Sequence, residues 1–169
     1  MKQMIIVGGG QAGFSIVENL KFLGYKQKLL LLTEEETAPY QRPPLSKKFL
    51  LGEFPKDRLY FKPFQFYESK NIQLEVSSKV ESINRYEKKV ILENKKVYDY
   101  EKLFLATGSR ARHLSIGISE NLSRVYTLRN IKDVEKIRPE FASGKKLVIV
   151  GGGYIGLETA AIAIKRGLE

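Results

Sequence analysis

Apolar positions along this chain change period several times, and each change marks an element. Ile5-Ile6-Val7 is a short apolar run, the pattern of a strand buried on both faces. Helical spacing takes over at once. Ile16, Val17, Leu20 and Leu23 recur at helical intervals, predicting a helix from about Gly13 to Leu23 with that stripe against a sheet. Gly24 stands where a glycine ends a helix. Leu29 to Leu32 is a second continuous apolar run and reads as a parallel strand. From Ile72 the period falls to two. Ile72, Leu74 and Val76 alternate with polar residues, and Val80 to Ile83, Val90 to Leu92 and Val97 to Tyr98 follow as short strands between charged turns. Together they predict a small antiparallel meander. Glu101 to Leu105 then returns to the main sheet, Ser109 to Leu122 reads as a loop, and Val125 to Leu128 and Leu147 to Val150 read as further strands.

Proline, glycine and capping residues punctuate the rest. Pro43-Pro44 presets an extended backbone. Ser46 can N-cap a short helix through Leu51 that Gly52 closes. Pro63 can start another helix carrying Phe64 and Tyr67 as far as Asn71. Asn130 is an N-cap candidate with Asp133 in the first turn, and Ile131, Val134 and Ile137 form the apolar stripe of a helix that Pro139 should kink or end. After Leu147 to Val150 an alanine-rich helix runs to about Arg166, with Gly167 as its cap.

The chemistry sits where the first strand meets the first helix. Gly8, Gly10 and Gly13 give G-x-G-x-x-G around Gly9, Gln11 and Ala12. In such a turn the first glycine permits the bend, the second lets backbone approach a pyrophosphate, and the third lets helix pack on strand. The helix N-terminus adds unpaired N–H groups and a partial positive charge. Glu34, beside Glu35, follows the second apolar strand about 20 residues past Gly13, the spacing of an acid that meets ribose hydroxyls. The motif recurs at Gly151-Gly152-Gly153-Tyr154-Ile155-Gly156. The second copy has no second strand or acid after it, which reads as one nearly complete nucleotide-binding half followed by the opening βα unit of another.

Composition narrows the picture. The chain has 169 residues, 43% of them hydrophobic and 28% charged, enough for a real core. No apolar run approaches the roughly 18 residues of a membrane span, and the first strand begins too early for a signal peptide. The expectation is a soluble, cytoplasmic protein. The net charge is +10. It could attract an acidic partner such as a redox protein or nucleic acid. The lysines are scattered, however, which favours a solubility effect over a nucleic-acid site. There are no cysteines, so a disulfide framework, a cysteine metal site and a C-x-x-C redox centre are excluded within this sequence. His113 stands among arginines and has no second histidine to share a metal.

Two fingerprints, an Ala106-Thr107-Gly108 strand end and a meander between them resemble the two-dinucleotide-binding-domain flavoprotein family. The stretch Pro39-Tyr40-Gln41-Arg42-Pro43-Pro44-Leu45-Ser46-Lys47 resembles its ferredoxin and rubredoxin reductase branch, which includes apoptosis-inducing-factor-like proteins. The resemblance runs the length of the chain and covers the N-terminal part of such a protein. It implies an α/β fold: a Rossmann-like FAD-binding domain with a small antiparallel meander over residues 1–128, then a linker helix and the first βα unit of a truncated Rossmann-like NAD(P)-binding domain over 129–169.

By the same resemblance, Gly8, Gly10, Gln11, Ala12 and Gly13 cradle the FAD pyrophosphate, and Glu34 with Glu35 holds the adenosine ribose. Arg42 lies along the phosphates or adenine, Val80 meets adenine through its backbone, Ala106, Thr107 and Gly108 pass the flavin chain, and Arg129 lies near the cofactor. Gly151, Gly153, Ile155 and Gly156 belong to the NAD(P)H pyrophosphate turn. Tyr154 either covers the flavin face or is a packing aromatic. Lys47 reaches the isoalloxazine ring, where a lysine favours developing negative charge, and Glu158 pairs with it. The implied activity is hydride transfer from NAD(P)H to flavin, then single electrons to a ferredoxin or rubredoxin, since no thiol is present to take them. Other acceptors remain open: monodehydroascorbate, or a fused nitrite reductase module. So does a non-catalytic basic protein that meets nucleic acid. The isolated chain is expected to oxidise no NAD(P)H and to retain FAD weakly or not at all. Its oligomeric state is left open.

Overall fold

The computed structural model describes residues 3–113 and 123–169. In chain order its elements are β1 (Gln3–Val7), α1 (Gln11–Phe22), β2 (Leu29–Leu32), α2 (Lys48–Leu51), α3 (Phe64–Ser69), β3 (Ile72–Glu75), β4 (Val80–Asn84), β5 (Lys89–Leu92), β6 (Val97–Leu105), α4 (Ile131–Ile137) and α5 (Tyr154–Lys165), with 3-10 turns at Pro43–Ser46, Lys56–Leu59 and Arg138–Glu140. These elements gather into two compact units. The first comprises the chain up to Gln41 together with Tyr60–Gly108; the second comprises Arg42–Leu59 and the described residues from Ser109 to Glu169.

The first unit is built on a six-stranded sheet of order β3-β2-β1-β6-β5-β4. β3, β2, β1 and β6 run parallel, with Ile5 opposite both Leu30 and Leu103. β4, β5 and the first part of β6 form an antiparallel meander. Two expectations are corrected here. Ile72 to Glu75 belongs to the parallel sheet, because its partner is β2 rather than the meander. Val97 to Leu105 is one nine-residue strand, not two. Its first residues pair with β5 and its later ones with β1, so it needs no break to serve both.

Side chains of β1 and β2 alternate between two apolar layers, as strand geometry requires. Ile6, Leu29 and Leu31 pack with Phe14 and Val17 of α1, Tyr67 of α3 and Ile72. Ile5, Val7, Leu30 and Leu32 pack with Val90, Leu92 and Tyr100. Leu23, expected on the sheet-facing stripe, is exposed. It is the C-cap residue, beyond the last helical turn, and Gly24 with φ of 85° turns the chain away there. Phe14 takes the inward position and stacks on Phe61 at 4.6 Å.

In the second unit, Asn130 and Asp133 form a reciprocal capping box on α4, and Ile131, Val134 and Ile137 are buried. Pro139 ends α4 in a 3-10 turn. Ser46 is not an N-cap. It closes the Pro43–Ser46 turn, Lys47 precedes α2, and no side-chain cap bond forms there. The carbonyls at the end of α2 are taken by arginines: Arg138 donates to the Phe49 carbonyl and stacks on the Phe49 ring, and Arg166 donates to the Leu51 carbonyl at 2.6 Å.

The strands expected at Val125 to Leu128 and Leu147 to Val150 do not form ladders. A strand is stabilised by its neighbours, and neither segment has a neighbouring strand among the described residues. Leu147 to Val150 shows how little is lacking. The Leu147 N–H donates to the Glu169 carbonyl at 2.8 Å, and the Glu169 N–H donates to the Lys145 carbonyl at 2.9 Å. That is the hydrogen-bond pattern of one parallel pair. Residues 114–122 of the expected loop lie outside the described residues.

Candidate functional site

The first glycine turn is held by its surroundings as well as by its sequence. The Gly8 N–H donates to the Leu32 carbonyl at 2.8 Å, and the Ala106 N–H donates to the Val7 carbonyl at 2.8 Å. The turn is thus fastened to the ends of β2 and β6. Gly8 has φ of +115°, and a Cβ there would lie 2.2 Å from the Ala106 carbonyl oxygen. A Cβ on Gly13 would lie 1.9 Å from the Gly8 oxygen. These two positions admit only glycine. Gly10 differs: a Cβ there meets nothing within 4 Å among the described residues. Packing within the described chain gives no reason for that glycine, whereas close approach of a phosphate to its backbone does. Gln11 and Ala12 open α1 and are exposed.

The other residues assigned to this nucleotide fall around the same sheet. Glu34 follows β2 and is exposed, and Glu35 accepts a hydrogen bond from the Tyr40 hydroxyl at 2.5 Å. The Thr33 side chain sits where a Cβ on Gly9 would go, at 2.7 Å. Ala106, Thr107 and Gly108 follow β6 directly. Val80 opens β4 opposite Leu92 and packs against the apolar layer of Ile5 and Leu30.

The second turn repeats the first in backbone. Gly151 has φ of +109°, and a Cβ on Gly156 would lie 2.7 Å from the Gly151 oxygen. Gly153, like Gly10, is an extended N-cap whose Cβ direction is open among the described residues. Tyr154 is 88% exposed, and Ile155 is partly exposed beside it.

The second unit gathers six of the sequence-assigned residues into one pocket of about 260 Å³. Arg42, Lys47, Arg129, Tyr154, Ile155 and Glu158 line it, with Pro43, Leu45, Ser46 and Leu128. Lys47 Nζ lies 2.9 Å from Glu158 Oε1, and it also donates to the Pro43 carbonyl at 3.2 Å. Arg42 Nη1 donates to the Arg129 carbonyl at 3.0 Å, and Arg129 Nε donates to the Ser109 carbonyl at 3.1 Å. The Ser46 hydroxyl donates to Glu158 Oε2 at 2.5 Å. That bond, and then the bond and charge of Lys47, hold the Glu158 carboxyl below the ordinary glutamate range. Ser46 escaped the sequence reading because its partner lies 112 residues away. Adjacency to Lys47 was the available signal.

Together these features define an α/β protein with two glycine-rich turns, one set in a sheet and one leading into α5. The chain belongs to the pyridine nucleotide-disulphide oxidoreductase family, whose pattern matches residues 2–169. It is 40% identical over 167 residues to a probable ferredoxin reductase of Castellaniella defragrans, covering 98% of this chain and 40% of that protein. It is 41% identical over 164 residues to a rubredoxin-NAD(+) reductase of Pseudomonas putida, covering 97% of this chain and 42% of that protein. Among solved structures it is similar to the covalent putidaredoxin reductase–putidaredoxin complex, with a TM-score of 0.94 and 37% identity, over 99% of this chain and 40% of that one. The chain therefore spans about two fifths of the length of these relatives. No helix among the described residues is long and apolar enough to cross a membrane.

Proposed function

We propose that this chain is the flavin-nucleotide-holding part of an FAD-dependent NAD(P)H oxidoreductase that passes electrons to a ferredoxin- or rubredoxin-type acceptor. The observation that carries the reading is the first glycine turn. Its shape is fixed from both sides by protein, yet its middle glycine faces open space. That is the fit expected for a dinucleotide diphosphate. Gly8 to Gly13 would hold the FAD diphosphate, Glu34 and Glu35 its ribose, and Val80 and Ala106 to Gly108 the rest of its length. When bound, the flavin supplies the exchange between a two-electron donor and a one-electron acceptor.

In the second unit, Lys47 and Glu158 are the pair assigned to the redox ring, with Arg42 and Arg129 as cationic neighbours. Lys47 offers a fixed positive charge, and Glu158 keeps it oriented. Gly151, Gly153, Tyr154, Ile155 and Gly156 are assigned to NAD(P)H. In sequence terms, residues 1–128 make the FAD-binding domain, and 129–169 make the linker helix and the start of the NAD(P)-binding domain. The names of the relatives support electron transfer from NAD to a small redox protein. The lack of cysteine supports an external acceptor over an internal thiol. Such a protein would work in the cytoplasm, where NAD(P)H is supplied.

The test is anaerobic addition of NADH to the FAD-loaded protein carrying the remaining domains. Loss of flavin absorbance, followed by reduction of added rubredoxin or ferredoxin, is expected. Unchanged flavin absorbance would overturn the reading. The 169-residue chain alone is expected to oxidise no NAD(P)H.

A further inference from the structure

The Lys47–Glu158 pair has a third member. We infer that Ser46 is a positioning residue, whose buried hydroxyl fixes the Glu158 carboxylate so that it can hold Lys47. The geometry is specific. Each Glu158 oxygen has its own donor: Oε2 receives Ser46 at 2.5 Å, and Oε1 receives Lys47 at 2.9 Å. A carboxylate held at both oxygens cannot rotate without breaking one bond. Ser46 is 4% exposed, whereas the Glu158 side chain is 31% exposed. Lys47 spends a second N–H on the Pro43 carbonyl, so two of its three N–H groups are engaged by described residues.

The chain arrangement explains why one serine can do this. Ser46 ends the Pro43–Ser46 turn, Lys47 breaks from it, and α2 begins at Lys48. Adjacent residues therefore reach the same carboxylate on α5. The charged groups that line this pocket with Glu158 are Lys47 from the turn, Arg42 from just before it, and Arg129 from the segment before α4. All three are cations, and Lys47 is the one whose charge acts on Glu158. Ser46 adds to Glu158 a neutral donor that does not compete for the charge of Lys47. A carboxylate kept ionised in this way stays paired with Lys47 as the solution becomes acidic. That this matters to a redox ring rests on the flavin reading above.

The experiment is a pH titration of the Glu158 side-chain carboxyl by 13C NMR in the 169-residue chain, with no flavin or nucleotide added. Wild type is expected to titrate below the ordinary glutamate range. Ser46→Ala should move the midpoint upward, Ser46→Thr should restore it, and the upward shift should persist in a Lys47→Met background. Ser46→Cys, near in size and a weak donor, repeats the test if the alanine variant does not fold. A midpoint unmoved by both Ala and Cys overturns the role of Ser46. A shift that vanishes without Lys47 also overturns it, since Ser46 would then act only through the lysine. Because no cofactor is present, failure here leaves the flavin reading standing, and failure of flavin binding leaves this result standing.

Discussion

The two glycine turns share a backbone and differ in what surrounds it. Gly8 and Gly151 have φ of +115° and +109°, and each turn leads into a helix of 12 residues. Yet Gly8 lies against the Ala106 carbonyl, while a Cβ on Gly151 meets nothing within 4 Å among the described residues. The segments feeding them differ in the same way. Ile5 and Ile6 are fully buried, whereas Val148 is 85% exposed. The comparison teaches that the glycine pattern alone sets the turn. The neighbouring strands set whether that turn is built into a layered core with an acidic pair, Glu34 and Glu35, at the end of the adjoining strand.

The largest expected effect separates the turns directly. Gly8→Ala forces a Cβ into backbone as well as an unfavourable φ, and should cost about 3 kcal/mol or more, or abolish folding. Gly151→Ala carries only the φ penalty, roughly 1–2 kcal/mol. Urea unfolding followed by far-UV circular dichroism measures both. Equal losses would break the comparison. Next in size, Leu30→Ala in the fully buried β2 should cost roughly 2–5 kcal/mol, while Val148→Ala should stay within about 0.5 kcal/mol.

A smaller effect concerns ligand rather than stability. Gly10→Ala and Gly153→Ala both point into open space, so neither should cost more than about 1 kcal/mol. Gly10→Ala should weaken FAD binding by about tenfold, or about 1.4 kcal/mol, and Gly153→Ala should leave it unchanged. Isothermal titration at high protein concentration reads the difference. The smallest effect is pH-dependent. The folded state lowers the Glu158 pKa, so its contribution to stability is fully present above the ordinary glutamate range and is lost as pH falls through the lowered value. Glu158→Gln should remove that part of the acid dependence, seen as a flatter melting temperature against pH at the acid end.

Much of this was legible in the residues because local rules governed it. The buried runs at Ile5 and Leu29, the capping box at Asn130 and the closing glycines at Gly24, Gly52 and Gly167 all behave as their local chemistry dictates. The misreadings arose where partners decided the outcome. Ile72 alternates like a meander strand but pairs in parallel with β2. Leu147 to Val150 has strand composition and no strand beside it among the described residues. Ser46 has the chemistry of a cap and instead serves a carboxylate on α5. In each case the deciding neighbour is remote in sequence, and periodicity carries no information about it.

The central claim is that the first turn takes the flavin nucleotide and the second does not. Titrating FAD into the 15N-labelled chain and following backbone amide shifts tests it without requiring tight retention. The account predicts shifts at Gly8 to Gly13, at Glu34 and Glu35, and at Ala106 to Gly108, with Gly151 to Gly156 unmoved. Shifts centred on Gly151 to Gly156, or none at millimolar FAD, would contradict it.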